Sequence, residues 1–396
     1  MNTFGKIVVI SVIFSLAGCN QPSTDPSSIA TESLEVAAQQ LALSIEKLGD
    51  TDQNPRTVRD GALRKVRARD WTSGFYPGCL WLIYEHTGDV KFLEAAKHFS
   101  KNVEQEQFND GTHDLGFMMY CSFGNGYRLT NDASYRDVVI QSAKTLATRF
   151  DPDVGCTRSW DHNQDKWQYP VIIDNMMNLE LLFWVARETN DTDLYNLSVT
   201  HAETTLKNHY RADHSSWHVL DYDTITGEVL HKHTHQGYAH ESAWARGQSW
   251  GFYGYTMTYR ETGDKKYLEH ATSIADFLLN HENLPEDMVP YWDFDAPNIP
   301  DEPRDASAAA ILCSGLYELS TQLGAQGIQY KEAADKILTS LSSEKYRAPV
   351  GENHNFILKH SVGHLPNNSE IDVPIIYADY YFIEACMRKL KIESDK

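Results

Sequence analysis

The sequence has little positive charge. It carries 35 Lys and Arg residues against 55 Asp and Glu residues, which gives a formal net charge of −20. A field of this sign repels the phosphate backbone, so DNA and RNA are excluded as partners. If the substrate is an anion, a few local hydrogen-bond donors must recognise it, because the charge of the whole surface opposes its approach.

Long apolar runs are absent except at the N-terminus. Residues 1–18 contain Lys6, a short apolar stretch and small residues at its end, which is typical of a signal peptide. Leu-Ala-Gly-Cys at 16–19 resembles a bacterial lipobox, which implies cleavage before Cys19 and lipid attachment to its thiol. Residues 19–33 then predict a flexible tether, with one folded domain over 34–396. The alternative is an ordinary secretory signal that leaves a soluble periplasmic protein.

Cysteine is scarce, and its spacing excludes two kinds of site. Apart from Cys19 there are five cysteines, and an odd, scattered set fits neither a disulfide framework nor the close pairs of a zinc site. We predict that all five are buried as small apolar residues. They are Cys79, Cys121, Cys156, Cys313 and Cys386.

Alternation of apolar and polar residues with a period of two is also absent, which argues against a β-sandwich or a doubly wound sheet. A helical repeat is present instead: a Gly or Asn that ends one helix precedes an Asp that caps the next, at Asp89, Asp132, Asp191 and Asp264. The segments before these four motifs are apolar nearly all round and predict buried inner helices, at 76–86, 116–129, 175–188 and 244–261. Two further apolar segments, 306–321 and 375–390, bring the inner set to six. The segments after them carry one apolar stripe and predict outer helices, at 90–104, 134–149, 193–209, 266–280 and 330–342.

Helix pairs of this kind predict an all-α fold, in which the pairs could be arranged in one of two ways. One is a closed six-hairpin (α/α)6 barrel, and the other is an open superhelix of helix pairs. The barrel is favoured because Trp, Asp, His and Arg cluster in the loops that lead into the inner helices. These loops would meet at one end of a closed barrel and form a pocket there.

Two aspartates at the starts of inner helices are the candidate acids. Asp174 follows three apolar β-branched residues at 171–173, so its charged form is poorly hydrated and its pKa should rise toward the range of a proton donor. Asp114 stands beside His113 at the start of another inner helix, and the two carboxyls could share one pocket. Each Asp could instead cap its helix.

Aromatic residues and one arginine accompany these acids. Aromatic walls together with Arg246 would suit a sugar ring that bears a carboxylate, because the ring stacks and the guanidinium binds the acid. Each tryptophan could equally belong to the core. The four tryptophans are Trp71, Trp160, Trp244 and Trp250.

Several histidines alternate along one extended segment, at 231, 233, 235 and 240. They suggest a metal site, but no carboxylate stands at a matching spacing. We therefore predict a histidine-rich surface hairpin and no bound metal.

Five blocks of sequence, in one order, carry a family signal. They are 113–117, 173–178, 236–238 with Trp244, Arg246 and Trp250, 292–297 with 304–305, and 379–382. From about Trp71 onward the chain resembles the unsaturated glucuronyl hydrolases of glycoside hydrolase family 88. The resemblance implies a six-hairpin α/α barrel, which agrees with the repeat, and it implies no metal or organic cofactor.

The resemblance also implies the reaction. The expected substrates are oligosaccharides released by polysaccharide lyases, which end in a 4,5-unsaturated uronic acid. An acid protonates carbon 4, the ring oxygen stabilises positive charge at carbon 5, and water adds there. The resulting hemiketal opens and releases the next sugar, so the carboxyl separation that distinguishes retaining from inverting glycosidases is uninformative here.

Roles follow from the matching positions. Asp174 resembles the catalytic acid, which also activates the water. Asp114 resembles a second essential acid that holds ring hydroxyls and keeps the Asp174 proton in place by like-charge repulsion. Arg246 is expected to bind the uronate carboxylate. The other expected substrate-binding residues are Trp71, His113, Trp160, His218, Gln236, Trp244 and Trp250.

The segment 358–366 would shape the subsite of the next sugar. Its polar residues could meet a sulfate or form a solvated loop; they are Lys359, His360, Ser361 and His364. With the lipobox, the sequence predicts a step in the use of a glycosaminoglycan or a sulfated algal polymer such as ulvan, on a protein anchored to a bacterial membrane by lipid alone. The alternatives are an unsaturated rhamnogalacturonyl hydrolase and a non-catalytic glycan-binding lipoprotein.

Overall fold

The structure is a computed structural model and describes residues 25–395. Helices dominate it. In chain order they are α1 (Pro26–Leu48), α2 (Phe75–Thr87), α3 (Val90–Lys101), the π-helical turn Gly116–Gly124 that continues into α4 (Asn125–Thr130), α5 (Ala133–Ala147), α6 (Asn175–Thr189), α7 (Thr192–Asn208), α8 (Ala245–Thr262), α9 (Lys265–Asn280), α10 (Ala306–Leu323), α11 (Ile328–Leu341) and α12 (Ile376–Ser394).

The inner helices form a closed ring. Helix α2 packs on the π-helical turn, which packs on α6; α6 packs on α8, α8 on α10, α10 on α12, and α12 returns to α2. Outside the ring, α3, α5, α7, α9 and α11 each cover the inner helix before them, and α1 covers α12. The predicted six-hairpin (α/α)6 barrel is therefore confirmed, and the open superhelix is excluded.

The helix ends follow the predicted motif. The side chains of Asp89, Asp132, Asp191 and Asp264 each accept a backbone N–H in the first turn of the next helix. Gly88, Asn131, Asn190 and Gly263 end the preceding helices in the left-handed conformation, which glycine and asparagine adopt most readily. These local bonds fix the length of each helix and the tight turn between the two helices of a pair.

Helix α1 departs from the prediction. It begins at Pro26, where the sequence predicts part of a flexible tether, and Asp25 caps it by accepting the backbone N–H of Ser28 at 3.2 Å. Its residues Ala30 and Leu34 are fully buried against the barrel. The tether prediction is thus wrong from Pro26 onward, and the folded domain starts before residue 34. The predicted signal peptide and Cys19 lie outside the described residues.

Short strands gather at the end of the barrel where the inner helices begin. Three antiparallel pairs are β1 (Asn54–Arg59) with β2 (Ala62–Val66), β3 (Phe150–Asp151) with β4 (Cys156–Thr157), and β8 (Ser361–His364) with β9 (Ser369–Val373). A three-stranded sheet has β6 (Val219–Tyr222) between β5 (Pro170–Ile172) and β7 (Val229–His233). The inner helices supply the apolar core, while these strands supply much of the polar rim above it.

Two expectations on composition concern the core and the membrane. All five cysteines between residues 25 and 395 are buried with free thiols, as predicted. Over the same residues, no helix combines the length and the apolar character that crossing a bilayer requires.

The contact between α6 and α8 tests how closely the ring is packed. A Cβ atom added at Gly254 would lie 2.4 Å from Met176 Cβ and 3.2 Å from the Met176 carbonyl carbon, so the two helices would have to separate. We expect Gly254→Ala to lower the free energy of unfolding by about 1–3 kcal/mol, as overpacking does, measured by urea titration. In the control Gly111→Ala, the nearest atom is the movable Asn109 amide oxygen at 3.3 Å, and stability should be unchanged. Equal stability of the two variants would contradict close packing of α6 on α8.

Candidate active site

A cavity of about 410 Å³ opens at the end of the barrel where the inner helices begin. Its walls come from segments distant in sequence, which the closed ring brings together. The lining residues are Arg56, Trp71, Gly111, Thr112, His113, Asp114, Ser159, Trp160, His162, Ile172, Asp174, His235, Gln236, Arg246, Gly363, His364, Asn367, Ser369, Glu370 and Tyr377.

Asp174 lies between β5 and α6 and lines this cavity. Its side chain makes no capping bond to α6, which excludes the structural alternative. The side chain is 11% exposed, and its Oδ2 atom is buried without a hydrogen-bond partner. Burial raises the pKa of Asp174 to about 7; the positive charge of Arg246 opposes this shift, and the negative charge of Asp114 supports it. The predicted poorly hydrated carboxyl with a raised pKa is confirmed.

Asp114 lines the same cavity from the loop before the π-helical turn. The hydroxyl of Thr112 donates a hydrogen bond to Asp114 Oδ2 at 2.8 Å. The N-cap residue of the π-helical turn is Leu115, so the carboxyl of Asp114 is not the cap of that helix. The structure therefore brings the two predicted acids into one pocket.

His113 is held in a fixed orientation beside Asp114. The side-chain amide of Asn175 donates to the Thr157 carbonyl and to Ser159 Oγ, so its oxygen must accept the His113 Nδ1 hydrogen, at 2.7 Å. His113 Nε2 then faces Asp114 Oδ1 at 3.3 Å. This contact is attractive only when one proton lies between the two atoms. Burial lowers the pKa of the His113 imidazole, although Asp114 opposes that shift.

Arg246 is fully buried on the first turn of α8, at the wall of the cavity. Its Nη1 donates to Asp305 Oδ2 at 3.1 Å and to the Val362 carbonyl, and its Nη2 donates to the Gly363 carbonyl at 2.6 Å. These bonds use three of the five guanidinium N–H groups and leave two that make no hydrogen bond within the described chain. The Gln236 amide also donates to the Gly363 carbonyl, at 3.1 Å, which places it beside Arg246.

His218 precedes β6 and lies behind the cavity wall. Its Nδ1 accepts the backbone N–H groups of His235 at 3.0 Å and Gln236 at 3.1 Å. Its Nε2 lies 3.8 Å from Asp174 Oδ2. His218 is predicted to bind the substrate, but it does not line the cavity; it contacts the acid from behind the wall instead.

Two of the four predicted tryptophan walls are wrong. Trp71 and Trp160 line the cavity, whereas Trp250 is fully buried between Phe117 and Tyr381. Trp244 is also buried; it packs on His218, and the Arg246 guanidinium lies 4.6 Å from its ring centre. These two rings support polar residues of the site and cannot stack on a sugar.

The predicted subsite in segment 358–366 is only partly correct. Lys359 donates from Nζ to the Glu344 carbonyl at 2.6 Å and does not line the cavity, while Ser361 is fully buried at the start of β8. The Nδ1 atom of His360 lies 2.5 Å from Asp372 Oδ1, and His360 does not line the cavity either. His364 does line the cavity. The predicted sulfate contact by Lys359 and Ser361 has no support, because the Lys359 ammonium is bonded to the Glu344 carbonyl and Ser361 is buried.

Arg56 is the main cavity residue that the sequence does not reveal. It lies on β1, and its guanidinium donates to Asp70 Oδ2 at 2.8 Å and to Glu370 Oε1 at 2.6 Å. Burial opposes the charged form of Arg56, but the two carboxylates outweigh this and raise its pKa. No local motif marks this residue, because its position depends on β1 lying near β9.

The histidine-rich segment forms the predicted hairpin over β6 and β7, with His231 and His233 on β7. One member, His235, continues past the strand and lines the cavity. Within residues 25–395, no group of three His, Cys, Asp or Glu side chains is placed to hold a metal ion.

Comparison with known proteins agrees with this geometry. Residues 45–382 match the family model of Glycosyl Hydrolase Family 88. The chain is 52% identical over 328 residues to an unsaturated glucuronyl hydrolase of Formosa agariphila, covering 83% of this chain and 82% of that protein. A second relative, the unsaturated glucuronyl hydrolase of Bacillus sp. strain GL1, is 33% identical over 88% of this chain and 93% of its own length.

Solved structures show the same fold. A crystal structure of an unsaturated glucuronyl hydrolase specific for heparin superposes with a TM-score of 0.91 at 50% identity, covering 93% of this chain and 98% of that one. The Bacillus sp. GL1 enzyme superposes with a TM-score of 0.86 at 30% identity over 91% and 96% of the two chains. The chain thus belongs to glycoside hydrolase family 88 and is a glycosidase of the unsaturated glucuronyl hydrolase type.

Proposed function

We propose that this protein removes a 4,5-unsaturated uronic acid from the non-reducing end of lyase-generated oligosaccharides, with Asp174 as the acid. The observation that carries the proposal is the Asp174 carboxyl itself. It lines the cavity, its pKa is about 7, and its Oδ2 has no hydrogen-bond partner in the described chain. A carboxyl with this pKa is about half protonated at pH 7 and can give its proton to a substrate.

The proposed reaction is hydration of a vinyl ether. Asp174 transfers its proton to carbon 4, and the ring oxygen stabilises the positive charge that develops at carbon 5. The Asp174 carboxylate then takes a proton from a water molecule as the water oxygen bonds to carbon 5. The hemiketal opens to a keto-aldehyde and the glycosidic bond breaks, so the net change is the addition of water and the acid ends in its starting state.

The neighbouring residues fit this reaction. Asp114 raises the pKa of Asp174 and so helps to keep it protonated. Arg246 retains two guanidinium N–H groups that can bind the uronate carboxylate, with Gln236 beside it. Trp71 and Trp160 provide aromatic surfaces within the cavity for the sugar rings.

We propose a glycosaminoglycan as the source of the substrate. The relative specific for heparin is 50% identical, and a structure of the Streptococcus agalactiae enzyme contains dGlcA-GalNAc6S. Products of heparin, chondroitin and ulvan lyases, together with an unsaturated rhamnogalacturonan disaccharide, form the test set. Faster hydrolysis of the ulvan or rhamnogalacturonan product would replace this source with the corresponding alternative.

We also propose that the protein is a lipoprotein anchored through Cys19. The support is the sequence Leu-Ala-Gly-Cys at 16–19 behind an apolar stretch. The first described helix starts at Pro26, which would keep the domain close to the membrane surface.

Replacement of the acid is the central test. We expect Asp174→Asn to lower kcat/KM by about 10²–10⁴-fold, because an amide cannot protonate carbon 4. The measurement is the loss of ultraviolet absorbance of the C4–C5 double bond. Wild-type activity in this variant would refute the assignment. A wild-type protein that binds the sugars and leaves the double bond intact would support the glycan-binding alternative.

Thermal unfolding shows whether the Asp174→Asn variant is folded. The pKa of Asp174 is raised from 3.8 to about 7 on folding, so the wild-type protein loses stability as the pH rises through this interval. The asparagine variant lacks the ionisable group. We therefore expect its Tm to exceed that of the wild-type protein at pH 8.

The pH profile tests the coupling between the two acids. We expect the wild-type kcat/KM to fall above pH about 7, as the protonated carboxyl of Asp174 is depleted. Asp114→Asn removes a negative charge that raises this pKa, so the midpoint should move to lower pH by about half a unit to one unit. The exposed control Asp110→Asn should leave the midpoint in place. An unchanged midpoint in Asp114→Asn would contradict the coupling.

The anchor is tested by fractionation of bacterial cells that express the full chain. We expect the wild-type protein to incorporate labelled palmitate and to remain with the membranes, and Cys19→Ser to appear in the soluble fraction. Cys121→Ser, which alters a buried thiol, should behave like the wild type. A wild-type protein without label in the soluble fraction would favour the ordinary secretory signal.

A further inference from the structure

The hydrogen bonds of His218 determine which of its ring nitrogens carries the hydrogen. Nδ1 accepts two backbone N–H groups, from His235 at 3.0 Å and from Gln236 at 3.1 Å, so it cannot itself be protonated. Burial lowers the pKa of the His218 imidazole well below its usual value, which keeps the ring neutral. A neutral ring with an unprotonated Nδ1 must carry its hydrogen on Nε2.

Nε2 of His218 faces the acid. It lies 3.8 Å from Asp174 Oδ2, and both atoms are buried without a hydrogen-bond partner in the described chain. The separation exceeds a hydrogen bond by less than about 1 Å, which a small rotation of the carboxyl closes. Trp244 packs against the imidazole with ring centres 4.5 Å apart and limits its movement.

The two oxygens of Asp174 therefore have different surroundings. Oδ2 is buried and faces His218. The remaining exposure of the side chain, 11%, lies on its other atoms, and the residue lines the cavity. Oδ1 is thus the oxygen that can meet a substrate.

We propose that His218 is a positioning residue that donates its Nε2 hydrogen to Asp174 Oδ2 and thereby confines the acid proton to Oδ1. This inference rests on the proposed function of Asp174. An oxygen that accepts from Nε2 is disfavoured as the site of the proton, so the proton occupies the oxygen that faces the cavity. When Oδ1 has given its proton to carbon 4, the same Nε2 donor stabilises the carboxylate until Oδ1 takes a proton from water.

Other charged groups act on His218 and Asp174, and the variants used in the test must leave these groups unchanged. Asp174 faces Arg246 and Asp114 as well as His218. The ionisable groups that face His218, besides Asp174, are His235, His364, Arg246 and His209.

Two substitutions at His218 separate the roles of its nitrogens. In His218→Asn the side-chain oxygen can replace Nδ1 as acceptor, but the Nε2 donor is lost. In His218→Gln the amide can reach the position of Nε2 and restore a donor. We expect His218→Asn to lower kcat at least about tenfold with KM changed less than about threefold, and to raise the alkaline midpoint of the pH profile. His218→Gln should recover part of kcat and return the midpoint toward the wild-type value.

His201 provides a matched control. It is also buried, and its Nδ1 also accepts a backbone N–H, from Thr157 at 3.0 Å, but it is not among the groups that act on Asp174. We expect His201→Asn to leave the alkaline midpoint unchanged. Equal losses of kcat in His218→Asn and His218→Gln, with midpoints at the wild-type value, would overturn the proposal.

A measurement without substrate separates this proposal from the proposed function. The infrared band of the protonated Asp174 carboxyl, assigned by its absence in Asp174→Asn, is titrated in the wild-type and His218 variants. We expect a higher midpoint in His218→Asn, and an equal midpoint refutes the donor role even if the enzyme is active. Failure of the wild-type protein to hydrolyse any unsaturated oligosaccharide would refute the function instead.

The wild-type protein alone gives a further test if a His218 variant does not fold. Long-range proton–nitrogen correlation spectra distinguish protonated from unprotonated ring nitrogens, and the His218 signals are those that shift in Asp174→Asn. We expect hydrogen on Nε2 and none on Nδ1 at pH 7. A hydrogen on Nδ1 would overturn the proposal.

Discussion

Closure of the inner helical ring is the constraint on which the site depends. When α12 packs on α2, the loops that lead into the inner helices must lie at one end of the barrel. Asp114, Asp174 and Arg246 come from three such loops or helix starts, and they line one cavity. An open superhelix with the same local structure would spread these groups along a surface. The outer helices make closure possible, because they cover inner helices that are apolar nearly all round.

Inside the closed barrel, the exclusion of water controls the electrostatics of the cavity. The chain has a net charge of −20, yet the Asp174 carboxyl holds its proton up to about pH 7 because its environment hydrates a charge poorly. The arginines at the cavity are largely matched by carboxylates: Arg56 by Asp70 and Glu370, and Arg246 by Asp305. Burial also lowers the imidazole pKa of His218, so His218 stays neutral and adds no second cation to Arg246 beside Asp174.

Features of the fold and the site were predictable from the sequence where their cause lies within a few residues. A capping Asp and a left-handed Gly or Asn act on the backbone within a few residues, so helix ends could be predicted from motifs such as that at Asp264. The apolar residues before Asp174 likewise predicted its poor hydration, because they are its neighbours in the sequence. The Asp25 cap and Pro26 were equally local signals for α1, but the polar composition around them suggested a tether.

The sequence by itself determined the helix pairs, the candidate acids and the family to which the chain belongs. Only the tertiary structure decided which side chains reach the cavity. Trp244 and Trp250 have the same residue type as Trp71 and Trp160, yet they turn into the core, because the packing of each segment against distant parts of the chain decides where its side chains point. Arg56 and Lys359 show the same limit, since contacts between distant segments, and not the neighbouring residues, place one inside the cavity and the other outside it.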